Sequence, residues 1–160
     1  MAADIFLKLG DIKGESGDAK HKDEIEVLSW SWGVQQPGSM SSGGGGGVGK
    51  ATFPDMSIMT YVDKATPVLM AKCTQGDHID KGVLTCRKAG KGQQEYLIVN
   101  MKKVFITSVS PNGAAGGDRE TVGITFQFEN VDLEYKPQKS DGSLDASSHF
   151  KYDLKAQKEG

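Results

Sequence analysis

The sequence predicts a mainly β fold: an antiparallel β-barrel of two curled sheets, with one short α-helix on its flank. Three observations predict it. Apolar and polar residues alternate along most of the chain, as half-buried strands require. Two long strands change the phase of that alternation partway. One segment alone carries the start and stop signals of a helix.

Ile5, Leu7 and Leu9 share one face of a first strand, which runs out into the polar loop GESGDAKHKDE at residues 14–24. The second strand, EIEVLSWSWGV at 24–34, places Ile25 and Val27 on odd positions and then Leu28, Trp30, Trp32 and Val34 on even ones. A one-residue slip moves side chains to the opposite face, so the strand bulges or curls. Beyond it comes a long excursion that includes SSGGGGGVGKAT at 41–52. The helix lies in ATPVLMAKCTQG, residues 65–76: Thr66 suits the N-cap, Pro67 the first helical position and Gly76 the C-terminal cap. Leu69 and Cys73, four residues apart, share its buried face, and a helix of about nine residues needs the barrel to pack against.

The remaining elements are KGVLTCRKA (81–89), the turn GKGQ (90–93), the strand EYLIVNMKKVFITSVS (95–110) and the loop PNGAAGGDRE (111–120). A second phase-slipped strand follows, in which Val122, Ile124, Phe126 and Phe128 give way to Val131, Leu133 and Tyr135. The turn KPQKSDGS (136–143) and a last strand, SHFKYDLKA (148–156), complete the order. Strands of ten or more residues exceed the usual five or six, so the barrel is elongated and curls so that different stretches are buried on different sides.

With 160 residues the chain reads as a single domain, 1–160, long enough to bury roughly 70% of its unfolded surface without staples. Cys73 and Cys86 form no C-x-x-C pair and read as small buried hydrophobes, with a disulfide left open. A net charge of −2 with interspersed signs lacks the basic field of a nucleic-acid binder. MAADIFLKLGD, broken by Asp4 and Lys8, lacks the pattern of a signal peptide, and no segment approaches a membrane span of roughly 20 apolar residues. The expected location is the cytoplasm, with any exit by a route that ignores Sec-type signals.

The glycine-rich excursion nearly spells the phosphate loop G-x-x-x-x-G-K-[ST]. Gly44, Gly49 and Lys50 fit, but the Mg²⁺-binding hydroxyl is replaced by Ala51, turn residues precede the loop, and Pro54 and Asp55 stand where a helix should rise. The alternative is a long loop without nucleotide chemistry. His21, His78 and His149 are scattered among Lys and Asp with no metal-ligand spacing and read as solvated surface residues. Glu24 and Glu26, two apart, mark the wet face of a strand. Trp30 and Trp32, in phase with Leu28 and Val34, read as core; a monomeric β-sandwich carbohydrate-binding module that exposes both tryptophans is the competing reading. No catalytic constellation is present and no cofactor is implied, so the chain reads as a non-enzyme.

GESGDAKHKDEIEVLSWSWGV (14–34), YVDKATPVLMAKCTQG (61–76), VGITFQFENVDLEYKPQKSDGS (122–143) and FKYDLK (150–155), in that order, resemble the haemolysin-coregulated protein (Hcp) family of type VI secretion. The resemblance runs from Asp4 to about Lys155. It implies a phage tail-tube-like barrel, six copies closing into a ring, and rings stacking into the inner tube of a contractile injection machine. It also implies effector proteins bound and protected in the ring lumen, contacts with a VgrG-type spike and a contractile sheath, no nucleic-acid partner, no membrane insertion, and secretion with the tube. The chain ends soon after its last strand, so the extra C-terminal toxin domain of some relatives is not expected.

If Trp30 and Trp32 face the core, alternation sends Ser29, Ser31 and Gly33 to the opposite face, where small polar side chains suit a lumen wall. By analogy with the family, the excursion with Gly43, Gly44, Gly45, Gly46, Gly47 and Lys50 is a contact arm to a neighbouring subunit, within a ring or between rings.

Overall fold

A computed structural model describes residues 3–37, 50–89 and 92–160. Eight strands and one helix follow the order β1 (Ala3–Leu9), β2 (Ile25–Ser31), β3 (Met56–Tyr61), α1 (Ala65–Gln75), β4 (His78–Lys88), β5 (Glu95–Asn112), β6 (Thr121–Tyr135), β7 (Ser148–Asp153) and β8 (Lys158–Glu159). All strand pairs are antiparallel. The sheet runs β3-β2-β1-β4-β5-β6-β7-β8, and β3 also pairs with β6, which closes six strands into a barrel. The amino-terminal half of β6 pairs with β3 and its carboxy-terminal half with β7, so the long β5–β6 ladder serves both the barrel and an extension beyond it.

Both phase slips have a physical cause. In β2 the register shifts between Val27 and Ser29, a bulge at Leu28. In β6 the change belongs to a line that crosses three strands. Lys103 of β5 has φ 53° and drops out of the ladder on both sides: pairing passes from Ile79↔Val104 to Lys81↔Lys102 and from Val104↔Phe128 to Lys102↔Asn130. On each strand the parity of core residues changes there: Ile79 to Leu84, Val104 to Met101, Phe128 to Val131. Gly82 sits beside the line because a Cβ there would lie 3.0 Å from Leu9 and 3.2 Å from Val104.

Leu7, Leu9, Leu84, Val99, Met101, Val104, Ile106, Ile124 and Phe126 form one continuous core. The helix adds Ala65 and Leu69, with Cys73 partly buried beside them, as the spacing predicts. Its start differs from expectation. The helix begins at Ala65, Asp63 accepts the Ala65 N–H at 2.9 Å, and Thr66 accepts the Asp63 N–H at 3.1 Å, a reciprocal box in which Thr66 is the partner rather than the cap. Pro67 then stands inside the first turn, where its missing N–H has no intrahelical carbonyl to meet. Gly76 ends the helix at φ 68°.

The first loop is not a solvated connection. Residues 11–24 fold back over the outer face of β1 and β4 and bury Phe6 and Arg87, so β1 is covered on both faces. Leu28 and Val34, grouped above with the core face of the second strand, are 45% and 54% exposed, since one sits at the bulge and the other lies past the strand end.

Gly14 anchors the covering loop. Its N–H donates to Asp23 O at 2.7 Å, and a Cβ there would come within 2.6 Å of Glu24 O and 2.9 Å of Ile25 Cα. Gly14→Ala is expected to destabilise the fold by about 2–3 kcal/mol, read from the midpoint of a urea titration.

Candidate functional site

On the barrel face opposite the core, β2, β3, β6 and β5 line up their small polar residues in register. Ser31 pairs with Ser57, Ser57 with Thr125, and Thr125 with Ser108. One pair further along, Ser29 pairs with Met59, Met59 with Gly123, and Gly123 with Ser110. The alternation that buries Met56, Ile58, Ile124 and Phe126 therefore leaves hydroxyls, Gly123 and the exposed Met59 on its other side.

Hydrogen bonds fix that face. The Thr125 hydroxyl lies 2.7 Å from the hydroxyl of Thr107 and 2.5 Å from that of Ser108. Thr107 also donates to Asp55 at 2.7 Å, and Gln127 donates to the other Asp55 oxygen at 2.7 Å. Asp55 is thereby engaged at the rim, while Ser29 and Ser31 are exposed. Gly33 lies beyond the end of β2 and is half-buried, with open space where a Cβ would go.

Trp30 and Trp32 pack against the core as half-buried side chains. Trp32 stacks on Phe53 at 5.5 Å, and Phe53 meets Tyr152 at 5.0 Å. Gln35 and Thr52 exchange two backbone hydrogen bonds of 2.8 Å, which join the stem of the excursion. Gly43, Gly44, Gly45, Gly46 and Gly47 lie outside the described residues, and Lys50 is exposed in irregular chain. The segment leads into β3 rather than a helix, so the anion site of a phosphate loop has no helix to complete it.

A second polar cluster, which sequence reading missed, sits under the covering loop. Arg87 is 2% exposed; its Nη1 donates to Asp18 Oδ2 at 2.9 Å and its Nη2 to Asp18 Oδ1 at 2.7 Å and to Asp4 Oδ2 at 3.1 Å. This pairing holds the Asp18 carboxyl well below the usual carboxylate range. The guanidinium lies 4.9 Å over the Phe6 ring. His21 is 8% exposed, between Glu24 and Glu95, and so is not the solvated surface residue its polar neighbours predict; Glu24 turns toward it, while Glu26 stays exposed. His78 is exposed, and His149 bridges Asp132 at 2.8 Å and Glu134 at 3.1 Å on the surface. An arginine within the apolar stretch VLTCRK was the available signal, but its partners are 69 and 83 residues away.

Both cysteines are free, and burial pushes the Cys86 thiol up to about 11. Among the described residues, no group of three or more His, Cys, Asp and Glu is placed to hold a metal ion, and no helix is long and apolar enough to cross a membrane.

The model of the family described as "Type VI secretion system effector, Hcp" matches residues 6–135. The chain is 51% identical over 146 residues to Protein hcp1 of Pseudomonas aeruginosa, covering 91% of this chain and 90% of that one. It superposes on a type six secretion system protein with TM-score 0.92 at 31% identity, covering 98% and 99% of the two chains. Hcp1 from Salmonella typhimurium is similar with TM-score 0.82 at 37% identity over the whole of both chains.

Asp18 is bound to Arg87 only in the folded state, so its lowered carboxyl adds stability above the carboxylate range that is lost as pH falls through it. Arg87→Met is expected to lower Tm at neutral pH by about 5 °C and to shrink the further loss of Tm on acidification. Thermal scans of both proteins from neutral pH to about pH 3 measure this.

Proposed function

This chain belongs to the Hcp family of type VI secretion tube proteins, and from that premise we propose that residues 1–160 form one tube subunit, that six subunits close into a ring, and that rings stack into the inner tube. The observation that carries this reading is the uncharged hydroxyl face built by Ser29, Ser31, Ser57, Thr125, Ser108 and Ser110 across four registered strands. It is the lumen wall. A channel that passes varied proteins needs a wall that neither repels by charge nor holds by broad apolar contact, and short hydroxyl side chains provide that. Ser31 and Ser29 contact cargo, and Gly33 keeps the adjoining wall low.

Self-association is supported by exposed apolar side chains elsewhere on the surface. Leu28, Val34, Val68, Met70 and Tyr135 are each more than 40% exposed. Head-to-tail contact between unlike patches closes into a ring when the rotation closes, and the ring faces then remain free to stack. The excursion with Gly43 to Gly47 and Lys50 reaches the neighbouring subunit or ring from its Gln35–Thr52 stem. The tube is capped by a VgrG-type spike, enclosed by a contractile sheath and secreted from the cytoplasm with effector proteins in its lumen.

Ser31→Arg puts a long cation on the wall while leaving the opposite, core-facing side of β2 unchanged. Ring assembly is expected to persist in this variant while effector retention in a pull-down falls about tenfold, the loss of roughly 1.4 kcal/mol of binding. Retention equal to the unsubstituted protein contradicts the lumen assignment. Deleting residues 41–48 is expected to leave folding intact and to impair tube growth, scored by electron microscopy; tubes of normal length contradict the contact-arm role.

A further inference from the structure

The tube role leaves His21 unused. Its ring stacks on Phe6 with centroids 4.5 Å apart and planes 7° from parallel. Its Nδ1 is 2.9 Å from Glu24 Oε2 and its Nε2 is 2.8 Å from Glu95 Oε1. Glu24 closes the covering loop, Glu95 opens β5, and the His21 backbone N–H donates to Asp18 Oδ2 at 3.1 Å. One side chain therefore ties the loop to a strand 74 positions away.

A neutral imidazole has one N–H and one lone pair, whereas an imidazolium has two N–H groups. With a carboxylate at each nitrogen, only the imidazolium donates to both. The neutral ring, itself buried, leaves a lone pair facing a carboxylate oxygen, an unfavourable contact. We propose that His21 is a proton-dependent latch that fastens the covering loop, residues 11–24, to the sheet, closed with the imidazolium and loosened when that proton leaves.

The charged groups packed around it match the closed form. Glu24 and Asp18 come from the loop, Asp4 from β1, Arg87 from β4 and Glu95 from β5, so four carboxylates are gathered around the Arg87 guanidinium and the His21 ring. Lys20 and Lys22 flank His21 in sequence and are exposed. The effect extends past the loop: Glu15 accepts the Lys64 N–H at 2.7 Å, so the same segment also holds the start of α1.

The test is backbone hydrogen exchange over residues 14–24 in the full chain, corrected for intrinsic rates, at about pH 5.5 and about pH 8.5, for the natural sequence and Glu95→Gln. A glutamine amide can donate to the bare ring nitrogen that a carboxylate cannot satisfy. Protection of the natural loop is expected to fall about tenfold or more between the two pH values, and that of Glu95→Gln to change little. Unchanged protection in the natural sequence, or an equal fall in Glu95→Gln, overturns the latch. Nitrogen-15 spectra of the natural protein give an independent reading: two protonated ring nitrogens on His21 at the lower pH are expected, and a single N–H ring contradicts the proposal.

Discussion

The fold depends on one constraint, the line at Lys103 where β4, β5 and β6 change the parity of their core-facing residues together. A strand of strict alternation keeps one parity toward the core along its length, and the 18 residues of β5 do not. The left-handed backbone at Lys103 breaks the ladder on both neighbours, and the core-facing residues change from Ile106 and Val104 on one side of it to Met101 and Val99 on the other, all within one core. β5 and β6 supply part of the closed barrel and also the extension that carries β7. Gly82 keeps the crossing tight, because Leu9, Val104 and Met101 crowd the space a side chain would need.

The polar face follows from this arrangement. Closing the barrel through β3 and β6 brings Ser57 and Thr125 beside Ser31, and the bulge at Leu28 sets the phase that leaves Ser29 and Ser31 outside while Trp30 packs inward. On the opposite flank the covering loop fills the outer side of β1 and β4 with Arg87, Phe6 and His21, a charged layer satisfied largely within itself. The Arg87 Nε is the buried side-chain nitrogen or oxygen among the described residues that has no hydrogen-bond partner. The barrel thus presents an uncharged hydroxyl surface on one side and a sealed electrostatic cluster on another.

Much of the fold was legible because it rests on local periodicity. Alternation located the strands other than β3 and β8, the two phase slips marked the bulge at Leu28 and the line at Glu129–Asn130, and Gly76 marked the helix end; Met56–Tyr61, which closes the barrel as β3, was not read as a strand. The helix start was misread by one capping role because Thr66 serves equally as a cap or as the partner of one, and the choice depends on Asp63. β8 was too short to carry a period. The exposure of Ser29 and Ser31 could be inferred from alternation, but the hydroxyl partners on β3, β5 and β6 needed strand order and register, which a single sequence does not contain. The cluster at Arg87 was invisible for the same reason: its members come from four segments, and a polar loop such as residues 14–24 looks like solvated chain until its partners are known.

Whether one barrel face becomes the wall of a closed ring is tested most directly by native mass spectrometry of the dilute protein. Six copies of a 17.1 kDa chain make an assembly of about 103 kDa. A dominant species at that mass is the predicted result. A monomer that persists as concentration rises contradicts it, because the hydroxyl face would then line no lumen.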